Sequence, residues 1–230
     1  MYQDDFYMDS YVQAKRDYFA RTYRIMALGL AVTFLTAMGT ALFIPWIAYN
    51  SLLVILLCAA ELFLVIGFSR RIMTASYGQV IGMFFAYACL SGVTLSSIFL
   101  VFDISTIFLC FLSTAVAFGA MALFGVRTAR DLSPWRSTLF GGLVGIIVMS
   151  LLGLFLRIPA FDLFISVFGV LLFMGMTAYD SQKLGQMFDQ AGGTEIAQRY
   201  AVYAALQLYL DFINLFVHLL SILSLSNRRD

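Results

Sequence analysis

Among the 230 residues of this sequence, Asp211 is the hardest to place by solubility alone. It stands in "ALQLYLDFINLF", a run otherwise built from Leu, Tyr, Phe, Ile and two amides. Gln207, Asp211, Asn214, His218 and Ser221 follow one another at intervals of four, three, four and three, which is one face of an α-helix. At about 1.5 Å per residue that polar stripe is about 21 Å long, most of the depth of a bilayer core. A carboxylate facing lipid there would cost several kcal/mol, so the stripe is expected to face the protein interior or a water-filled pore. A seam of interhelical hydrogen bonds would also explain it, although Asn or Ser would make such a seam at lower cost than an ionisable acid. The chemistry open to the stripe is proton binding and cation binding. His218, the sole histidine, could tune or relay protons, or serve only as a hydrogen-bonding partner.

A second acid offers itself as partner. "FMGMTAYDSQKL" carries Asp180, read as the close of a helix, with Thr177 one turn earlier. If the two segments are neighbours, Asp180 and Asp211 form a pair that cannot both ionise cheaply, so they share a proton and titrate together. Carboxylate oxygens also suit a hard cation such as calcium. Glu61, within "AAELFLVIGFSRR", and Arg70 and Arg71 at the end of that stretch, are candidate latch or counter-ion residues. Both arginines also read as anchors on the positive side of a membrane.

These residues must be positioned by membrane-spanning elements. The chain is 62% hydrophobic and 12% charged, far from the balance of a soluble domain. Apolar runs recur along its length, and seven are expected to be helices over roughly 23–44, 51–69, 79–101, 104–124, 138–156, 159–180 and 200–223. The breaks carry turn signals: "IPWIAYNS", "SRRIMTASYGQ", "FDIS", "VRTARDLSPWR", "RIPAFD" and "DSQKLGQMFDQAGGTEIAQR", the last read as a soluble connection. The expected organisation is an N-terminal arm over 1–22, a seven-helix transmembrane domain over 23–223 and a short tail over 224–230. Gly141 and Gly145, four apart, and Gly169 and Gly175 in the sixth span are candidates for close helix packing. No internal repeat supports an inverted-repeat transporter.

Basic residues fix the expected orientation. Lys15, Arg16, Arg21, Arg24, Arg70, Arg71, Arg127, Arg130, Arg136, Lys183 and Arg199 fall on one side, eleven of the fourteen. Arg157, Arg228 and Arg229 fall on the other. The N-terminal arm is therefore expected in the cytoplasm, with no cleaved signal peptide, because no basic region precedes a short apolar core. A net charge of +1 and no basic tail argue against nucleic acid. Cys58, Cys89 and Cys110 all lie in apolar runs and read as small core residues rather than metal ligands or disulfides.

Several stretches resemble the Bax inhibitor motif family of seven-helix membrane proteins. "RTYRIMALGLAVTFLTA" (Arg21–Ala37) resembles the family's first span and "LSGVTLSSIFLVF" (Leu90–Phe102) its third. "RTARDLS" (Arg127–Ser133) resembles the connection after the fourth, and "TAYDSQKL" (Thr177–Leu184) with "YLDFINLF" (Tyr209–Phe216) resembles the paired-aspartate helices. The resemblance spans essentially the whole chain in the family's order. It implies six helices around a central, hydrophobic seventh, and a pH-sensitive calcium leak. It implies, too, that a di-aspartate pair on the last two helices senses protons and binds the ion, latched by an arginine from the second helix. The pair falls on Asp180 and Asp211; the arginine falls on Arg70 or Arg71. The tail looks like that of bacterial members, which implies the inner (plasma) membrane, and the cell-death role of eukaryotic members is not carried over.

The expected function is thus a pH-sensitive cation leak channel or transporter for calcium, without enzymatic activity or resident cofactor. Its expected partners are membrane lipid, calcium and protons. An alternative is a regulatory protein that binds another membrane complex, such as a quality-control protease, through the acidic, aromatic arm "YQDDFYMDSY". A remote alternative is an intramembrane aspartyl protease, which Tyr179-Asp180 resembles. The glycine-x-glycine-aspartate half of that motif is absent, since Leu208, Tyr209 and Leu210 precede Asp211. One histidine without a serine elbow does not make a serine peptidase.

Overall fold

The computed structural model describes residues 2–72, 74–156, 158–191 and 195–227. Their order is α1 (Tyr2–Phe43), α2 (Trp46–Tyr49), α3 (Ser51–Arg71), α4 (Tyr77–Leu95), α5 (Ile98–Val101), α6 (Ile104–Arg127), a 3-10 turn (Ser133–Trp135), α7 (Arg136–Leu156), α8 (Pro159–Ala191) and α9 (Glu195–Asn227). Among the described residues there is no strand, and seven helices are long and apolar enough to cross a membrane. The protein is an all-α membrane protein with seven transmembrane helices. In lipid, only a helix satisfies its own backbone polar groups within one segment, which is why each apolar run becomes one.

Three features depart from the sequence reading. The segment read as an arm over 1–22 is continuous with the first span, because no Gly or Pro interrupts α1 before Gly29. The third span breaks at Ser96–Ser97, where α4 ends and α5 begins. There the Ser96 hydroxyl donates to the Val93 carbonyl at 2.7 Å, a local bond that competes with the helical ladder. The connection read over 180–199 is mostly helix: α8 runs on to Ala191 and α9 opens at Glu195. Asp180 therefore lies well inside α8 instead of closing it. Leu184, Phe188 and Ala191 recur at helical spacing, and all three are buried with Tyr18, Ala197, Ala201 and Ala204. That apolar face carries the helix past the polar residues that made the stretch look like a loop.

The chain packs as two compact units, Met1–Ile104 with Leu184–Tyr209, and Ser105–Lys183 with Leu210–Asp230. In the first, α4 packs against both α1 and α3. The Tyr209 hydroxyl, on α9, is 2.7 Å from the Thr33 hydroxyl, and its ring lies edge-on to Phe84 and Tyr87. The cytoplasm-facing end expected from the charge count is joined by Lys15 of α1, which pairs with Asp189 of α8 at 3.0 Å. Tyr11 donates to the same carboxylate. An open apolar groove of about 680 Å³ lies along α1 and α4, lined by Thr36, Gly39, Phe43, Cys89 and Val93 among others. None of the stripe residues lines it.

In the second unit, the C-terminal half of α9 packs on α6 and α8. Phe212 meets the rings of Phe111 and Phe118, and the Cys110 thiol is 3.7 Å from the Phe216 carbonyl. Gln182 of α8 ties down the loop before α7: it accepts from the Leu132 amide and donates to the Arg130 carbonyl, both at 2.8 Å. In that loop, hydrogen bonds from the Ser133 hydroxyl and amide hold the Asp131 carboxyl below the usual carboxylate range. Gly141 and Gly145 do not serve the close packing expected of them, since a Cβ at either would meet nothing within 4 Å. The neighbouring Gly142 faces Leu172 instead.

Candidate di-aspartate site

Asp180 on α8 and Asp211 on α9 belong to the same unit, and their carboxyl groups lie within interaction range of each other. Asp180 retains 8% of its surface and Asp211 only 1%. Two carboxyl groups brought together in so buried a place cannot both ionise cheaply, which suits them to share a proton. The Asp211 Oδ2 atom is buried and has no hydrogen-bond partner. An orphaned carboxyl oxygen in so buried a place is costly unless a proton, an ion or a water completes it. The neighbours of Asp211 along α9 are buried as well, Leu208 and Leu215 fully and Phe212 nearly so.

The helices approach closely beside this pair. A Cβ on Gly125 of α6 would stand 2.1 Å from the Ala178 carbonyl oxygen, two residues before Asp180. Only a glycine lets the α6 and α8 backbones meet there, and its spacing gave no sign of that in the sequence. Thr177, fully buried one turn before Asp180, donates its hydroxyl to the Phe173 carbonyl at 2.8 Å. Lys183, one turn after, places its ammonium 5.8 Å from the Tyr179 ring centre, within cation–π range.

The remaining stripe residues, Gln207, Asn214, His218 and Ser221, are half-buried. Asn214 donates to the Leu210 carbonyl of its own helix at 2.8 Å. His218 fills the slot left by Gly169, where a Cβ would lie 2.5 Å from the imidazole, and stacks on Phe173 at 5.7 Å. The stripe thus divides among roles: one acid in a pair, an amide bonded along its own helix, and a histidine fitted against a glycine.

Glu61 and the two arginines lie in the other unit. Glu61 is half-buried in the middle of α3 and is hydrogen-bonded to Tyr87 and Thr94 of α4, so hydroxyls rather than an arginine are its partners. Arg70 and Arg71 occupy the last turn of α3 with exposed side chains. As potential metal ligands the two aspartates stand by themselves: no group of three or more His, Cys, Asp or Glu side chains occurs among the described residues. Two carboxylates offer at most four oxygens, whereas calcium takes about six to eight, so water or carbonyl groups would have to supply the rest.

Comparison with known proteins agrees with this architecture. The family model described as "Inhibitor of apoptosis-promoting Bax1" matches residues 15–229. The inner membrane protein YbhL of Escherichia coli (strain K12) is 40% identical over 229 residues, covering 96% of this chain and 97% of that protein. A protein of Rickettsia prowazekii is 35% identical over 221 residues, with 94% and 91% covered, and one of Borreliella burgdorferi is 37% identical over 213 residues, with 91% and 92% covered. With a match over nearly its whole length, seven transmembrane helices and the paired-aspartate segments in order, the chain belongs to the Bax inhibitor-1 family, on the side of its bacterial members.

Proposed function

We propose that this protein is a proton-gated cation pathway in the bacterial inner membrane, with calcium as the ion and Asp180 and Asp211 as the site where ion and proton compete. The observation that carries the reading is the buried carboxyl pair on α8 and α9, with Asp211 Oδ2 left unpartnered. A pair that shares a proton must release it before both carboxylates can take a divalent cation, so low pH and calcium act against each other. Such a switch biases a bundle between two packings only if each state binds proton or ion differently, and the pair supplies that difference. Calcium here is cargo, and the pathway runs without a resident cofactor or a covalent step. The family resemblance implies one of Arg70 and Arg71 as counter-ion to the ionised pair, a role that the pH midpoint of flux in Arg70→Ala and Arg71→Ala would test. The N-terminus lies in the cytoplasm, where the positive side of the chain belongs.

The test is calcium flux into dye-loaded liposomes over a pH series. The unaltered protein is expected to give pH-dependent flux, and Asp211→Asn to lose that dependence. Flux and pH dependence unchanged in Asp211→Asn would end this reading.

A further inference from the structure

Arg199, in the second turn of α9, reaches a different element from the one that bears it. Its Nη1 donates to the Ala75 carbonyl at 3.0 Å and to the Ile72 carbonyl at 3.4 Å. Ile72 is the C-cap of α3, and Ala75 lies in the bend that leads into α4. The connecting sequence "RRIMTAS" contains neither Gly nor Pro to impose a turn. The amides of Thr74 and Ala75 both bond to the Arg71 carbonyl, at 3.0 and 2.9 Å. The Ile72 and Ala75 carbonyls are met from outside, by Arg199. Carbonyls at a helix C-terminus carry partial negative charge, and one guanidinium nitrogen, Nη1, serves both of them.

A second tie joins the same two elements. The Phe68 ring, one turn before the C-cap of α3, stacks on Tyr203, one turn after Arg199, at 6.3 Å and 20°. Phe68, Ile72 and Ala75 are all buried. The turn held between these ties is the one that carries Arg70 and Arg71. All of these residues lie within one unit.

We propose that Arg199 is a positioning residue: it clamps the corner between α3 and α4 onto the start of α9 and so fixes the last turn of α3, which carries Arg70 and Arg71, against the first turns of α9. The consequence for gating rests on the proton-gated reading above; the clamp itself does not.

Two readouts separate them. In hydrogen–deuterium exchange on the full-length protein, peptides over 68–77 are expected to exchange about tenfold faster in Arg199→Gln, the loss of one charge-assisted hydrogen bond. Arg199→Lys, which keeps the charge on a shorter side chain with a different donor geometry, should fall between. In liposomes, Arg199→Gln should displace the pH midpoint of flux as far as the more sensitive of Arg70→Ala and Arg71→Ala does. Combining the two should add nothing further, as for residues acting through one contact. Exchange unchanged in both Arg199 variants overturns the clamp, whatever flux does. Faster exchange with an unmoved pH midpoint, or fully additive shifts, overturns the positioning role. If the unaltered protein shows no pH-dependent flux, the proton-gated reading falls, and exchange alone decides the clamp.

Discussion

At the scale of single residues, the di-aspartate site depends on a glycine that carries no chemistry. Gly125 lets the α6 backbone touch α8 at Ala178, two residues before Asp180, and the obstructing atom is a carbonyl oxygen that no rotamer change can move. Gly125→Ala is therefore expected to lower stability by about 1–3 kcal/mol, the usual range for overpacking a tight contact. Gly141→Ala is the control: its Cβ would meet nothing within 4 Å, so the substitution should gain about 0.5–1 kcal/mol of helix stability. Thermal unfolding in detergent, followed by exposure of the buried Cys110 to a thiol dye, compares the two. Equal melting temperatures for the two variants would show that the contact beside Ala178 yields without strain. In the sequence, Gly141 and Gly145 carry the spacing associated with close packing and Gly125 does not. Spacing reports which residues share a face, but which face meets a partner is decided by the partner.

At the scale of elements, the apolar runs located the seven long helices but not where those helices begin and end. Hydropathy reports what can sit in lipid, whereas a helix continues for as long as one face stays buried and nothing breaks the backbone. The stretch from Ser181 to Ala191 is too polar for lipid, yet Leu184, Phe188 and Ala191 bury one face beside Tyr18 of α1. The spacing of four and three was there to be read; the Gln, Lys and Asp between masked it. Gly185→Pro separates helix from loop. In α8 it removes a backbone donor and crowds the preceding turn, and is expected to destabilise by about 3 kcal/mol or more. A soluble connection would tolerate the change, so an unaltered melting temperature would contradict the helix.

At the scale of the whole molecule, the seven spans set alternate connections on opposite sides of the membrane. With the N-terminus in the cytoplasm, single cysteines replacing Asn50 or Asp103 are expected to react with an impermeant maleimide in intact cells. Cysteines replacing Thr74 or Asp131 should react only after permeabilisation. The background must lack Cys58, Cys89 and Cys110. The opposite pattern would reverse the orientation assigned from the basic residues. Both α8 and α9 contribute to each of the two compact units, and α9 has the largest buried share of the seven spans.

What the sequence determined by itself is the class of molecule and the identity of its unusual acids. Solvation alone dictates this much: seven long apolar runs have no other stable home than a bilayer, and a carboxylate within one of them must find a partner. Family motifs add which acid that partner is. Only the tertiary structure decided that Asp180 sits inside a helix and comes within interaction range of Asp211, that Glu61 is met by hydroxyls of α4, and that Arg199 closes a corner distant in sequence. Each of these depends on which faces of different helices meet, and a side chain's own neighbours in sequence carry no record of that.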